Sequence, residues 1–334
     1  MLVYRDVTSA TKALDPSRQR VATVGFFDGL HIGHKKVLAE LKSWALERGA
    51  EPAVVTFDRH PREVISGQRQ MRILSLDHRL LLLAREGIAV TLVLDFDHTL
   101  SRLSADEFVR RIFSESLGAG ALLMGFDGAF GHKRQGTFEY VSGQAESLGI
   151  VVRKAGVESL RGERVSSTLV RQAIRAGELS RLEALLGRPF SILGRVRKGE
   201  GRGRTLGFPT ANLDTSGEVL PPTGVYFAET DRLGLSLEEC MKSAGKPAPA
   251  SERLGSVVNI GRRPTFNAPD TVQSLAEAHL LDWEGSLYDE YLEVHFLAGH
   301  REEKKFPSAA ALVEQIRADV EGFRRYSNRE ENSE

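Results

Sequence analysis

The spacing of apolar residues changes character at Gly187-Arg188-Pro189, and this divides the chain into two different architectures. Before that point, short β-branched and aromatic runs alternate with amphipathic stretches. Strands are expected at 21–27, 53–57, 88–96, 121–125 and 150–152, and helices at 35–48, 76–87 and 137–149. Ser104-Ala105-Asp106-Glu107 has the capping-box pattern that opens a further helix. Such alternation predicts a parallel sheet covered on both faces, with ligands held at the carboxyl ends of its strands. After Pro189 the runs FSILGRV, GVYFAE, LGSVVNIG, SLAEAHLL and YLEVHFL are separated by glycine, proline and polar clusters, which predicts an antiparallel barrel or sandwich. Apolar residues at 312, 313, 316, 320 and 323 make 308–326 an amphipathic helix expected to pack on the barrel, followed by a frayed tail at 327–334. The predicted domains are 1–187 and 188–334, each with a core of its own.

Composition restricts the partners. Forty-five basic residues balance forty-five acidic ones, so bulk charge gives no reason to expect nucleic acid or an anionic membrane. A single cysteine, Cys240, excludes an intrachain disulfide and leaves no thiolate cluster for a metal. The first twenty residues are polar and interrupted by charges, unlike a signal peptide, and no apolar run reaches the roughly 18 residues of a membrane span. A cytoplasmic enzyme acting on small molecules is expected, and a homo-oligomer is compatible with this reading.

The most informative stretch is Gly25-Phe26-Phe27-Asp28-Gly29-Leu30-His31-Ile32-Gly33-His34, which reads as a strand end, a tight turn and a helix start. Histidines three apart fall on one side of a first helical turn, where free N–H groups and the helix dipole favour anions. Three readings compete: histidines that satisfy a buried turn, a metal pair, and a phosphate site. Zinc normally takes three or four protein ligands, and no cluster accompanies this pair. Two further stretches are notable. Gly125-Phe126-Asp127-Gly128-Ala129-Phe130-Gly131-His132-Lys133-Arg134-Gln135-Gly136 follows a strand, and its composition alone suits a solvated turn. Val165-Ser166-Ser167-Thr168-Leu169-Val170-Arg171 puts hydroxyls before a helix, either as N-caps or, with Arg171 one turn in, as a second anion site.

Beyond the boundary, Arg195 to Gly207 mixes bases with glycines but contains neither GxGxxG nor GxxxxGK[ST]. In Leu206-Gly207-Phe208-Pro209-Thr210-Ala211-Asn212-Leu213, Thr210 and Asn212 alternate with apolar neighbours and share a face. A hydroxyl and an amide oxygen suit a hard cation carrying phosphates, and they equally suit a capped turn. In SLAEAHLL, Glu277 shares a face with Leu275 and His279, while Ala276, Ala278 and Leu280 face the other way.

These motifs carry a resemblance. The segment 25–34 resembles the GxFDGxHxGH signature of flavin nucleotidyltransferases, within the HxGH superfamily. The segment 125–136 resembles the GxDFxFGxxRxG loop of bacterial FAD synthetases, with Gly128 and Ala129 departing from it. The segment 166–171 resembles the SSTxxR phosphate motif that partners HxGH. GFPTANL, LPPTGVY at 220–226, VNIGRRPTF at 258–266, Glu277-Ala278-His279, Leu280-Leu281-Asp282 and Leu287-Tyr288 together resemble the riboflavin kinase domain. Asp289 stands where glycine is usual, Phe26 and Arg59 where Asn and Pro are common, and 236–253 is an insertion.

The resemblance covers nearly the whole chain and points to the bifunctional riboflavin kinase/FAD synthetase family of bacteria. It implies a Rossmann-like nucleotidyltransferase domain followed by a six-stranded antiparallel barrel with a terminal helix. It also implies roles for individual residues. His31 and His34 act on phosphate, with Gly25, Phe27, Asp28, Gly33, Ser166, Ser167, Thr168 and Arg171 at the nucleotide. Asp127, Phe130 and Arg134 contact flavin. Gly207, Thr210 and Asn212 bind ATP, the last two through Mg²⁺, and Glu277 is the catalytic base. The substrates and products would be ATP, riboflavin, FMN and FAD. A nucleotidyltransferase of another specificity and a flavin-binding module without turnover are the competing readings.

Overall fold

A computed structural model describes residues 1–68, 70–160, 162–199, 202–215, 217–234, 236–243, 253–264 and 272–331. They form two compact units that are discontinuous in sequence. The first holds Met1–Met71, Arg79–Ser166 and 241–243; the second holds Arg72–His78 and the described residues from Ser167 onward, apart from 241–243.

In the first unit a parallel sheet is built from β1 (Leu2–Tyr4), β2 (Arg20–Val24), β3 (Glu51–Phe57), β4 (Val90–Leu94), β5 (Ala119–Met124) and β6 (Val151–Lys154), in the order β1-β4-β3-β2-β5-β6. The chain winds outward from β2 in one direction through β3 and β4 and in the other through β5 and β6. The change of direction therefore lies between β2 and β5, where open α/β sheets hold ligands. Strand β4 is buried throughout and β3 over its last five residues, because helices cover both faces. The expected capping box is present: Ser104 Oγ accepts from the Glu107 amide at 3.2 Å, and the Glu107 carboxylate accepts from the Ser104 amide at 2.8 Å. The stretch 137–149 is two short helices, Phe138–Gly143 and Ala145–Leu148, rather than one. Strand β1 and the helix Val7–Ala13 were not expected, since a three-residue edge strand carries too little periodicity to read. A hairpin of β7 (Ser159–Leu160) and β8 (Glu163–Arg164) precedes the end of this unit.

The second unit is a closed antiparallel barrel. Its strands are β9 (Ser191–Arg197), β10 (Ala211–Leu213), β11 (Gly224–Gly234), β12 (Arg253–Pro264), β13 (Val272–Leu280) and β14 (Tyr291–Arg301), in the order β10-β13-β12-β11-β14-β9. Side-chain alternation sends Ala276, Ala278, Val258, Ile260, Ala228, Val294 and Ile192 inward, all essentially inaccessible. The terminal helix Ala309–Glu331 docks outside through Phe323, whose ring meets Phe227 edge-on at 5.8 Å, and through Asp319, which pairs with Arg301 at 2.7 Å. It runs through 327–331, so the described part of the expected frayed tail is helical. Residues 332–334, Thr265 and Phe266 of the 258–266 motif, and 244–252 of the insertion lie outside the described residues.

Two pieces of chain from before residue 187 complete the barrel unit. The helix Leu179–Leu186 packs along β14 and buries Leu182, Leu185 and Leu186. The segment Arg72–His78 pairs with Gly217–Val219, the Val219 amide donating to the Arg72 carbonyl at 2.7 Å. At its end, His78 Nε2 lies 3.1 Å from Glu293 Oε1, to which Ser191 Oγ also donates at 3.1 Å, and all three side chains are fully buried.

Candidate functional site

The turn after β2 is strained and held by burial. Phe27 and Leu30 adopt φ of 55° and 40°, a region that side chains with a Cβ avoid, yet both are almost wholly buried. Asp28 between them is also buried. Phe27 and Asp28 therefore shape the turn from inside.

His31 is the N-cap of the helix Ile32–Glu47 and not its first turn, with Nδ1 accepting from the His34 amide at 3.3 Å. The two imidazoles stack with centroids 3.7 Å apart and planes at 15°, and Phe27 meets His34 edge-on at 5.2 Å. Gly33 makes this possible, because a Cβ there would sit 3.2 Å from His31 Nδ1. Burial, and then the Arg164 charge, push the His31 pKa down to about 4. His34 is held well below its ordinary value by burial, His31 and Arg79, and its buried Nδ1 makes no hydrogen bond. Both rings are thus neutral at pH 7 and can offer an anion N–H donors but no charge.

Cations come from residues that the sequence did not single out. Arg164, on β8, pairs with Asp127 at 2.5 Å and lies 5.6 Å from the centroid of the half-exposed Phe126 ring. Arg79 donates to the carbonyls at the ends of β2 and β3. Neither belongs to a motif, and only the folded chain brings them to the turn.

The loop 125–136 follows β5. Arg134 donates to the Asp127 carbonyl at 3.0 Å, and both Lys133 and Arg134 have positive φ. Gly128 closes a turn onto the Gly125 carbonyl at 2.9 Å, and a Cβ there would approach that backbone to 3.1 Å, so the departure from the family pattern has a local geometric basis. The Phe130 ring packs among Phe108 and Phe113 at 5.1 and 5.7 Å and is nearly inaccessible. Ser166 closes the first unit. Ser167, Thr168 and the buried Arg171 belong to the helix Ser167–Ala176 of the second.

In the barrel, Asn212 on β10 stands directly opposite Glu277 on β13, which in turn is opposite Asn259 on β12. All three lie on the outer face, since their neighbours Ala211, Leu213, Ala276, Ala278 and Val258 fill the interior. Thr210 is exposed at the start of β10, and Gly207 ends the preceding loop with φ of 84°. The loop packs closely here: a Cβ on Gly203 would meet the Phe208 carbonyl at 2.4 Å and Thr210 Oγ1 at 3.1 Å. His279 reaches the Pro209 carbonyl through Nδ1 at 2.8 Å and anchors the segment. Hard oxygen donors therefore line one face beside a carboxylate, a donor set that fits Mg²⁺ with its phosphates and waters.

Comparisons with known proteins match both halves of the chain. A family model for FAD synthetase matches residues 14–169, and one for riboflavin kinase matches 186–327. The bifunctional riboflavin kinase/FMN adenylyltransferase of Pseudomonas fluorescens is 40% identical over 91% of this chain and 92% of its own. That of Escherichia coli K12 is 33% identical over 96% of each chain, and that of Bacillus subtilis 31% identical over 92% and 93%. A crystal structure described as a macrolide-efflux protein from Streptococcus pneumoniae superposes with a TM-score of 0.77 at 26% identity, covering 97% of this chain and 99% of that one. Among the described residues no helix is long and apolar enough to cross a membrane. With relatives this similar over nearly their full length, the chain belongs to the bifunctional riboflavin kinase/FMN adenylyltransferase family.

Proposed function

We propose that the chain converts riboflavin and ATP to FMN and ADP, and FMN and a second ATP to FAD and diphosphate. Residues 188–334 carry the first reaction and 1–187 the second, a reading supported by a riboflavin kinase model that matches 186–327 and an FAD synthetase model that matches 14–169. The observation that carries the kinase reading is the row Asn212, Glu277, Asn259 across three paired strands.

Glu277 accepts the proton of the ribityl 5′-hydroxyl as its oxygen bonds to the γ-phosphorus and the bond to the ADP oxygen breaks. Thr210 and Asn212 would hold Mg²⁺, which would neutralise phosphate charge, and Gly207 lets the loop lie against the nucleotide. In the other half an FMN phosphate oxygen attacks the α-phosphorus of ATP and diphosphate leaves. His31 and His34 donate hydrogen bonds to the phosphates, and Gly25, Phe27, Asp28 and Gly33 hold the turn in shape. Ser166, Ser167, Thr168 and Arg171 bind the leaving diphosphate. Asp127 and Arg134 face the flavin. The partners are small molecules alone, without nucleic acid or membrane, and the site of action is the cytoplasm.

The test is incubation of the purified protein with riboflavin and ATP, with and without Mg²⁺, followed by chromatography. Mg²⁺-dependent appearance of FMN and then FAD is expected. Adenylylation of a different mononucleotide in preference to FMN would support another specificity, and tight flavin binding without turnover would reduce the chain to a binding module.

A further inference from the structure

We propose that Arg79 is the positioning residue of the adenylyl-transfer site, fixing the ends of the two strands that present the HxGH turn and the loop beside it. The inference rests on reading the His31–His34 turn as that site.

The backbone ladder between β2 and β3 ends at Val24 and Val55, with one last bond from the Gly25 amide to the Val55 carbonyl at 3.1 Å. Beyond it the strands part into Phe26–His31 and Asp58–Pro61, and nothing in parallel pairing fixes their separation. Arg79 takes over at this point. It is completely inaccessible, donates through Nη1 to the Phe26 carbonyl at 2.8 Å and through Nη2 to the Phe57 carbonyl, and lies 4.2 Å over the Phe26 ring. One planar fork thus bridges two chain ends where the backbone no longer can, a task suited to guanidinium geometry and not to an ammonium group. The Phe26 ring also meets His60, edge-on at 4.7 Å, so the residue that departs from the usual Asn is built into the same clamp.

Arg79 also acts electrostatically. The titratable and charged groups facing His34 are His31 on its own turn and Arg79 from the helix Leu76–Arg85, while Arg164 and Asp127 face His31. Removing the Arg79 charge raises the His34 pKa, while His31, which Arg79 does not face, keeps its own low pKa.

The experiment compares R79K and R79M with wild type in the full chain, measuring FMN adenylylation, its pH profile, and riboflavin phosphorylation. R79K keeps the charge but loses the fork. We expect its adenylylation kcat to fall about 10²-fold, as misplacement of a catalytic loop does, with the acid limb in place and phosphorylation unchanged. R79M should lose at least as much, the loss falling on kcat with the KM for ATP changed by less than about twofold. R79K keeps the test valid should R79M not fold. Retention of more than half of kcat in R79K would overturn the proposal, as would a folded R79M whose loss falls on KM and not on kcat. A wild-type protein that does not adenylylate FMN would instead refute the reading of the turn.

Discussion

His31 and His34 stack face to face with centroids 3.7 Å apart, a geometry that two imidazolium ions in a buried turn would not tolerate. Their low proton affinity follows from burial first and neighbouring charge second. With the His31 pKa near 4, adenylylation should hold its rate from pH 8 down to roughly pH 5.5 and fall only below that. A pH profile of kcat checks this. A limb near 6.5 would mean an ordinary, protonatable imidazole.

The same burial links stability to pH. His31 has a folded pKa lowered from 6.5 to about 4, so the unfolded chain binds more protons between these values and stability falls as the pH drops through that window. The full effect is about 3 kcal/mol at 1.36 kcal/mol per pKa unit. Denaturant melts of wild type and His31→Gln at pH 7.5 and 5 should show a smaller loss of stability in the variant.

Glu277 is flanked in register by Asn212 and Asn259, and Glu277→Gln preserves the shape of that row while removing the base. The riboflavin kinase kcat should fall by about 10²- to 10⁴-fold, with ATP binding and FMN adenylylation nearly unchanged. Steady-state rates on riboflavin and on FMN provide the check, and more than about a tenth of the kinase rate remaining would exclude general-base action.

A kinase fragment cut at residue 188 would lose the cover of Leu182, Leu185 and Leu186 and the imidazole that meets the buried Glu293. Starting instead at 167 restores the two helices. Thermal unfolding should place 167–334 well above 188–334, by several degrees for each kcal/mol regained. Equal melting temperatures would show that the helices contribute nothing to the barrel. In the full chain, His78→Ala should destabilise by about 1–3 kcal/mol, the range for leaving a buried hydrogen-bonding group unsatisfied.

Much of this was legible in the sequence because its signals are local. Strand and helix alternation, the Ser104 capping box and the inward set Ala276, Ala278 and Leu280 follow from periodicity within a few residues. What sequence reasoning missed is long-range. Arg79 meets carbonyls 53 and 22 residues away, and His78 meets Glu293 across 215 residues; no window in the sequence contains those pairs. The packing of Phe130 against Phe108 and Phe113 was likewise out of reach of the motif, since it joins residues 17 to 22 positions apart.

Two separate active sites in one chain, one in each half, should respond independently to substitution. FMN and FAD formation measured in His31→Ala/His34→Ala and in Glu277→Gln decides this. The histidine variant should still phosphorylate riboflavin at the wild-type rate but make no FAD, while the glutamine variant should adenylylate supplied FMN normally but make almost none from riboflavin. Loss of both activities in either variant, with the circular dichroism of a folded protein, would contradict their independence.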